Sequence, residues 1–225
     1  MDKDIPPQMI SPVNRTKSAA KASYNRLSRW YDLIAGSTEK KYRYLGLEAL
    51  KARPGEKVLE IGFGTGHCLL ALAKSVGPDG KVYGIDLSEG MYAIAQARLQ
   101  SAGVAERVEL QVDDAAGMPY GDELFDAVFM SFTLELFDTP EIPIVLESCK
   151  RVLRPGGRLA LVTMVKGPKP NLAERIYERA HAKWPAAVDC RPILAQDALK
   201  QAGFQIRSLT AMMMWGLPLE IILAS

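Results

Sequence analysis

Cysteine and histidine are scarce in this chain: three and two residues among 225. The cysteines, Cys68, Cys149 and Cys190, are odd in number and lack metal-ligand spacing. That argues against a bound metal or a disulfide scaffold and for a reducing compartment, the cytoplasm. No apolar run reaches the ~18 residues that a membrane-spanning helix needs. The first residues, Met1 to Pro12, are charged and proline-rich, unlike a signal peptide. There are no internal repeats, and no interleaving of basic and aromatic residues that would suggest nucleic-acid binding. A large excess of one charge is also missing, since the chain nets only +2. The charge is nevertheless uneven, because residues 1–53 hold eleven Lys/Arg against five acids. Such a basic segment can make a peripheral contact with an anionic membrane, or it can simply be a solvated face. Nothing in the composition speaks to oligomeric state. What is left is a globular chain long enough for one large core.

What is present is concentrated between Val58 and His67, V-L-E-I-G-F-G-T-G-H. A buried strand runs into a loop with Gly62, Gly64 and Gly66, and an amphipathic segment follows from Cys68 to Val76. Glycines there let backbone N–H groups approach a ligand, as in nucleotide-binding loops. A dinucleotide site wants G-x-G-x-x-G, with a small third residue where this chain has His67. Glu60, two residues before the first glycine, repels a pyrophosphate and suits a cationic ammonium. S-adenosylmethionine carries an ammonium and a sulfonium and has no phosphate.

Further acids stand at the ends of later strands. Lys81 to Ile85 ends in Asp86, twenty residues after Gly66. An acid there can accept both hydroxyls of a ribose in either cofactor class. Leu87 and Met91 beside it can sandwich an adenine, or serve as helix-start and core residues. Arg107 to Val112 leads to Asp113-Asp114-Ala115-Ala116, and Leu124 to Met130 reads as a buried fourth strand followed by a loop from Ser131 to Phe137. A helix from Glu141 to Leu153 is stopped by Arg154-Pro155-Gly156-Gly157 before a strand from Arg158 to Met164. Two apolar strands, Gly203–Met212 and Leu217–Ala224, are joined too tightly for a crossover helix and must pair antiparallel.

The E-x-G-x-G-x-G loop and the acids that follow it resemble class I S-adenosylmethionine-dependent methyltransferases over about Tyr24 to Met164. The run R-V-L-R-P-G-G, Arg151 to Gly157, is similar to the ubiquinone/menaquinone-biosynthesis C-methyltransferases. The resemblance implies an α/β fold: a Rossmann-like seven-stranded sheet of order 3-2-1-4-5-7-6, the last strand antiparallel, with helices on both faces. Residues 1–53 become an N-terminal extension with lid helices, and 54–225 the core, with a variable substrate-side insertion at about 165–195. The donor, S-adenosyl-L-methionine, would be held by Glu60, Gly62, Gly64, Gly66, Asp86, Leu87, Met91 and Ser131. By the same resemblance Asp114 accepts from the adenine amine and the Ala115 N–H donates to the ring. Tyr24 and Tyr31, from the lid, are expected nearest the methionine end.

Catalytic candidates come from the rest of the chain. His181 in the insertion is a candidate base, Arg191 a partner for a phenolate oxygen, and Glu135 a base or a cation-holding acid. The expected activity is methyl transfer to a small, lipophilic acceptor, with C-methylation of a quinol favoured by resemblance. N-methylation of an amine or phospholipid headgroup is the alternative. An NAD(P)-dependent oxidoreductase and a non-catalytic ligand-binding module are readings from other classes.

Overall fold

A computed structural model describes residues 16–19, 21–25, 36–167, 171–183 and 190–225. Tyr31, Trp184 and Asp189 lie outside the described residues. The elements run α1 (Gly36–Leu50), β1 (Lys57–Ile61), α2 (His67–Val76), β2 (Lys81–Asp86), α3 (Glu89–Ser101), β3 (Val108–Val112) and β4 (Phe125–Ser131). They continue with α4 (Glu141–Val152), β5 (Leu153–Met164), α5 (Leu172–Lys183), α6 (Ala195–Gln201), β6 (Ile206–Met214) and β7 (Leu217–Ala224). Residues 17–19 and 21–25 are helical as well.

The strands form one sheet in the order β3-β2-β1-β4-β5-β7-β6. β1 through β5 pair in parallel, and β7 pairs antiparallel with both β5 and β6. β1 and β4 read as nearly unbroken apolar runs because a central parallel strand is covered on both faces. Accordingly the core is split by the sheet. One half gathers Leu59, Val128, Leu146 and Leu161, and the other Val58, Leu72, Phe129 and Val162. The chain order reverses between β1 and β4, and in open α/β sheets that switch point opens a crevice beyond the carboxyl ends of the strands.

Two boundaries differ from the sequence reading. β5 begins at Leu153, paired with Phe125, and does not wait until Arg158. Gly156, at φ 79°, absorbs a register irregularity between the Phe125 and Ala127 pairings, so the R-P-G-G run is a bulge within a strand and not a turn before one. β6 starts at Ile206 and ends at Met214, leaving only Trp215 and Gly216 as the hairpin tip. Both have positive φ, 52° and 80°, as a two-residue I′ connection requires.

Helix α1 crosses the sheet through Gly46. A Cβ there would stand 2.3 Å from Val162 Cγ2 and 3.1 Å from Phe129 Cε2, both in fully buried side chains. We therefore expect Gly46→Ala to destabilise the fold by about 1–3 kcal/mol through overpacking, in spite of its better helix propensity. Thermal melting should show a Tm lower by roughly 2–4 °C per kcal/mol. An unchanged or raised Tm would mean that α1 does not seat on the sheet this closely.

Candidate functional site

A cavity of about 500 Å³ opens at the carboxyl ends of β1, β2 and β4. Its floor is the loop after β1, where Gly62, Gly64 and Gly66 have different tasks. A Cβ on Gly62 would collide with the Thr133 side chain at 2.4 Å, and one on Gly66 would meet Ala95 Cβ of α3 at 2.8 Å. Those two glycines permit close packing. Gly64, at φ 51°, has nothing within 4 Å of its would-be Cβ and lines the cavity. The backbone is bare where a ligand would lie against it.

Asp86 closes the tip of β2 and lines the same cavity. Its Oδ2 accepts from Gly64 N at 2.9 Å and its Oδ1 from Ser88 N at 2.9 Å. The carboxylate therefore fixes the glycine loop to the start of α3, and each oxygen keeps lone-pair capacity for a donor from the cavity. Burial pushes its pKa up, against the pull of the backbone N–H groups of Ser88, Gly64 and Leu87. At the tip of β3, Asp114 Oδ1 accepts from Ala116 N at 3.0 Å and orders a short turn, Ala115–Gly117. Its Oδ2 faces Lys17, whose Nζ donates to it at 2.5 Å and also contacts Glu141 Oε1 at 2.5 Å.

Residues 16–19 and 21–25 thus lie by the opening, with Thr16, Lys17 and Tyr24 among the lining residues. They are also fastened at the start of α3. Asn25 Oδ1 accepts from Ser88 Oγ at 2.6 Å and Gly90 N at 2.9 Å, and Lys21 pairs with Glu89 at 2.5 Å. The expected positions Leu87, Met91, Ala115 and Ser131 line the cavity too. Ser131 Oγ is buried with no hydrogen-bond partner among the described residues, an orphan that a bound molecule would satisfy.

Glu60 and Gly66 stand behind this lining and do not belong to it. Glu60 is buried on β1 with its Oε2 unpartnered. Burial raises its pKa well above the ordinary carboxylate value, with the Arg43 charge pulling the other way and Asp86 adding to the rise. A buried acid short of a partner suits a cationic group brought in from the cavity side.

The three catalytic candidates occupy different places from those expected. None of them lines the cavity. Glu135 belongs to the loop after β4 but turns away from the cavity, fully buried, accepting from Thr163 Oγ1 at 2.8 Å and Met164 N at 3.2 Å. Arg191 is turned inward, with its Nη2 donating to Phe137 O at 2.5 Å and its Nη1 to Thr139 Oγ1 at 3.3 Å. It braces the backbone of the cavity wall from behind. His181 is buried on α5. A hydrophilic residue on a short helix reads as exposed from sequence, yet packing turned this one inward.

Sequence reasoning missed several lining residues: Phe132, Thr133, Phe137, Asp138 and Glu141. Their signal was the loop after β4, which the chain order places beside the glycine loop. Phe132 adopts φ 53°, unusual for an aromatic residue and a mark of a constrained wall. Among the described residues, five acids (Asp86, Asp113, Asp114, Asp138 and Glu141) and one lysine line the cavity, and the lysine is bound to two of the acids. Such a surface repels phosphates and attracts cations.

Comparison with known proteins agrees with this chemistry. Residues 58–157 match a family model described as a methyltransferase domain. The demethylmenaquinone methyltransferase of Symbiobacterium thermophilum is 34% identical over 140 residues, covering 60% of this chain and 55% of that protein. The ubiquinone/menaquinone biosynthesis C-methyltransferase UbiE of Ectopseudomonas mendocina is 32% identical over 176 residues, covering 78% and 66%. The chain therefore spans a little over half to two thirds of the length of these relatives. Among solved structures, the cyclase SpnF superposes with a TM-score of 0.74 at 20% identity, covering 93% of this chain and 96% of that one. That likeness establishes the fold, which hosts more than one reaction.

Proposed function

The chain belongs to the class I S-adenosylmethionine-dependent methyltransferases, and from that premise we propose that it methylates a small, lipophilic acceptor, with a quinol ring carbon as the favoured target. The observation that carries the donor half is the phosphate-repelling cavity built around Gly64, Asp86 and Asp114. Asp86 would take the ribose hydroxyls, while Asp114 and the Ala115 N–H would face the adenine. Leu87 and Met91 would supply apolar surface around it, Tyr24 would lie toward the methionine end, and Ser131 Oγ offers a hydrogen bond. Glu60 offers a buried carboxyl with an unpartnered Oε2, which an arriving amino-acid ammonium would favour in its charged form. S-adenosylmethionine, when bound, supplies an activated methyl group on sulfur. The protein's own part is to hold an acceptor in line with that methyl and to exclude water, contributions that reach several kcal/mol when the geometry is tight.

Phe132, Phe137 and Leu136 give the wall after β4 an apolar, aromatic character that suits a flat ring. The quinone-pathway relatives support a quinol on separate grounds. One feature favours the alternative of an amine or a phospholipid headgroup: the acid excess, with Asp138 beside the aromatic wall, would hold a cation.

Isothermal calorimetry with S-adenosylhomocysteine and with NADH tests the donor. Binding of the first alone is expected, since an acid-lined cavity disfavours a pyrophosphate by like-charge repulsion. Binding of NADH alone would refute the proposal. Labelled donor with panels of quinols, phenols and amines then tests the acceptor. Turnover confined to amines would replace the quinol by the alternative.

A further inference from the structure

Away from the cavity, the chain leaves a patch of large apolar side chains in water. Trp215 is 63% exposed and Met213 53% at the β6–β7 tip, and Leu172 is 73% and Ile176 57% exposed on α5. The two elements touch. Asn171 Nδ2 donates to Gly216 O at 2.9 Å, and a Cβ on Gly216 would stand 3.1 Å from Ala173 Cβ. The outer face of α5 continues with Arg175, Arg179 and Lys183, all exposed. Neither Arg175 nor Arg179 has an ion-pair partner among the described residues. The acids of the helix are held elsewhere: Glu174 is buried and accepts from Gly167 N and Asn171 N, and Glu178 pairs with Lys166 at 3.1 Å. The outward face therefore carries apolar and cationic groups and no anion.

Trp215 adds a second line of argument. It occupies a left-handed tip position, φ 52°, where Asn, Asp or Gly are the residues of choice. A large aromatic is placed there at a conformational cost and stays mostly in water. Tryptophan beside arginine and aliphatic residues is the composition that settles at a bilayer–water boundary. The patch also lies on the same edge of the sheet as the cavity, since Met164 at the carboxyl end of β5 pairs with Leu219 near the start of β7.

We propose that the α5 outer face and the β6–β7 tip, through Leu172, Arg175, Ile176, Arg179, Met213 and Trp215, dock on an anionic lipid surface. The N-terminal basic segment singled out in the sequence is not needed for this contact. The assignment stands on the patch alone and does not depend on the methyl-transfer reading.

Co-sedimentation of the full chain with phosphatidylcholine vesicles, plain or carrying about a third phosphatidylserine, is the test. Retention is expected on the anionic vesicles only, falling as salt shortens the screening length. Arg175→Gln with Arg179→Gln should weaken partitioning about 25-fold, at roughly fivefold per charge. Trp215→Asn should weaken it by about tenfold or more while suiting the hairpin tip at least as well. Thermal melting of each variant reports folding, and the Tm is expected to be nearly unchanged. Vesicle binding that is absent, indifferent to lipid charge or equal in all variants would overturn the proposal. So would self-association of the wild type that Trp215→Asn abolishes, which would assign the face to a second copy of the chain.

Discussion

Asp86→Ala should lower the affinity for S-adenosylhomocysteine by on the order of 10²–10⁴-fold, with hydrogen bonds to a charged acceptor contributing about 1.5–3 kcal/mol each. The expectation rests on two things that the carboxylate does. It lines the cavity at the tip of β2, and it holds Gly64 N and Ser88 N in place at 2.9 Å each. Removing it deletes the acceptor proposed for the ribose and also frees the glycine loop. Asp86→Asn separates these effects. An amide keeps one acceptor oxygen but sets its NH₂ against one of the two backbone donors, so the loop is held by a single bond. An intermediate loss for Asn and a larger one for Ala, measured by calorimetry on folded protein, is the expected order. Wild-type affinity in Asp86→Ala would remove the residue from the donor site.

The second large effect is on stability against pH. Burial pushes Glu135 up to about 7, against the hydrogen bonds from its own backbone N–H, Thr163 and Met164, while Glu39 adds to the rise. In the unfolded chain an ordinary glutamate ionises near 4.3. Between those values the folded state keeps a proton that the unfolded state has released. Stability from this group is therefore full below about pH 4, falls as pH rises through the window, and is lost above about 7. The difference corresponds to roughly 4 kcal/mol at 1.36 kcal/mol per unit. Glu135→Gln cannot ionise, so it should lose this part of the slope and melt above the wild type at pH 8. Parallel pH–Tm profiles for the two proteins would show that Glu135 does not titrate in this range.

The sheet order, and the strand-end acids Asp86 and Asp114 that line the cavity, were legible because they depend on short-range patterns. A buried run followed by E-x-G-x-G-x-G and acids at successive strand ends announces a doubly wound sheet before any tertiary contact is known. The terminal hairpin was legible for a similar reason, since too few residues join Met214 and Leu217 to cross over. The catalytic candidates were not legible. His181, Glu135 and Arg191 were chosen for their chemistry, and whether a polar side chain faces a cavity or the core depends on contacts with residues distant in sequence. Arg191 is held by Phe137 and Thr139, more than fifty positions away. Lys17 was hidden for the same reason, because its partners Asp114 and Glu141 lie far along the chain. The β5 start was misplaced because a Pro-Gly-Gly run looks like a turn, whereas here one glycine accommodates a bulge inside a continuous strand.

The empty space above Gly62 is filled by the methyl and hydroxyl of Thr133, which would stand 2.4 Å from any added Cβ. The two loops that meet there belong to opposite halves of the molecule, so neither can drift alone. A bulkier residue at 133 would press on the backbone of the other half, and a smaller one would leave a void beneath it. Residue 133 is thereby constrained from both halves of the sheet at once, and the seam between them is held by a single side chain's fit.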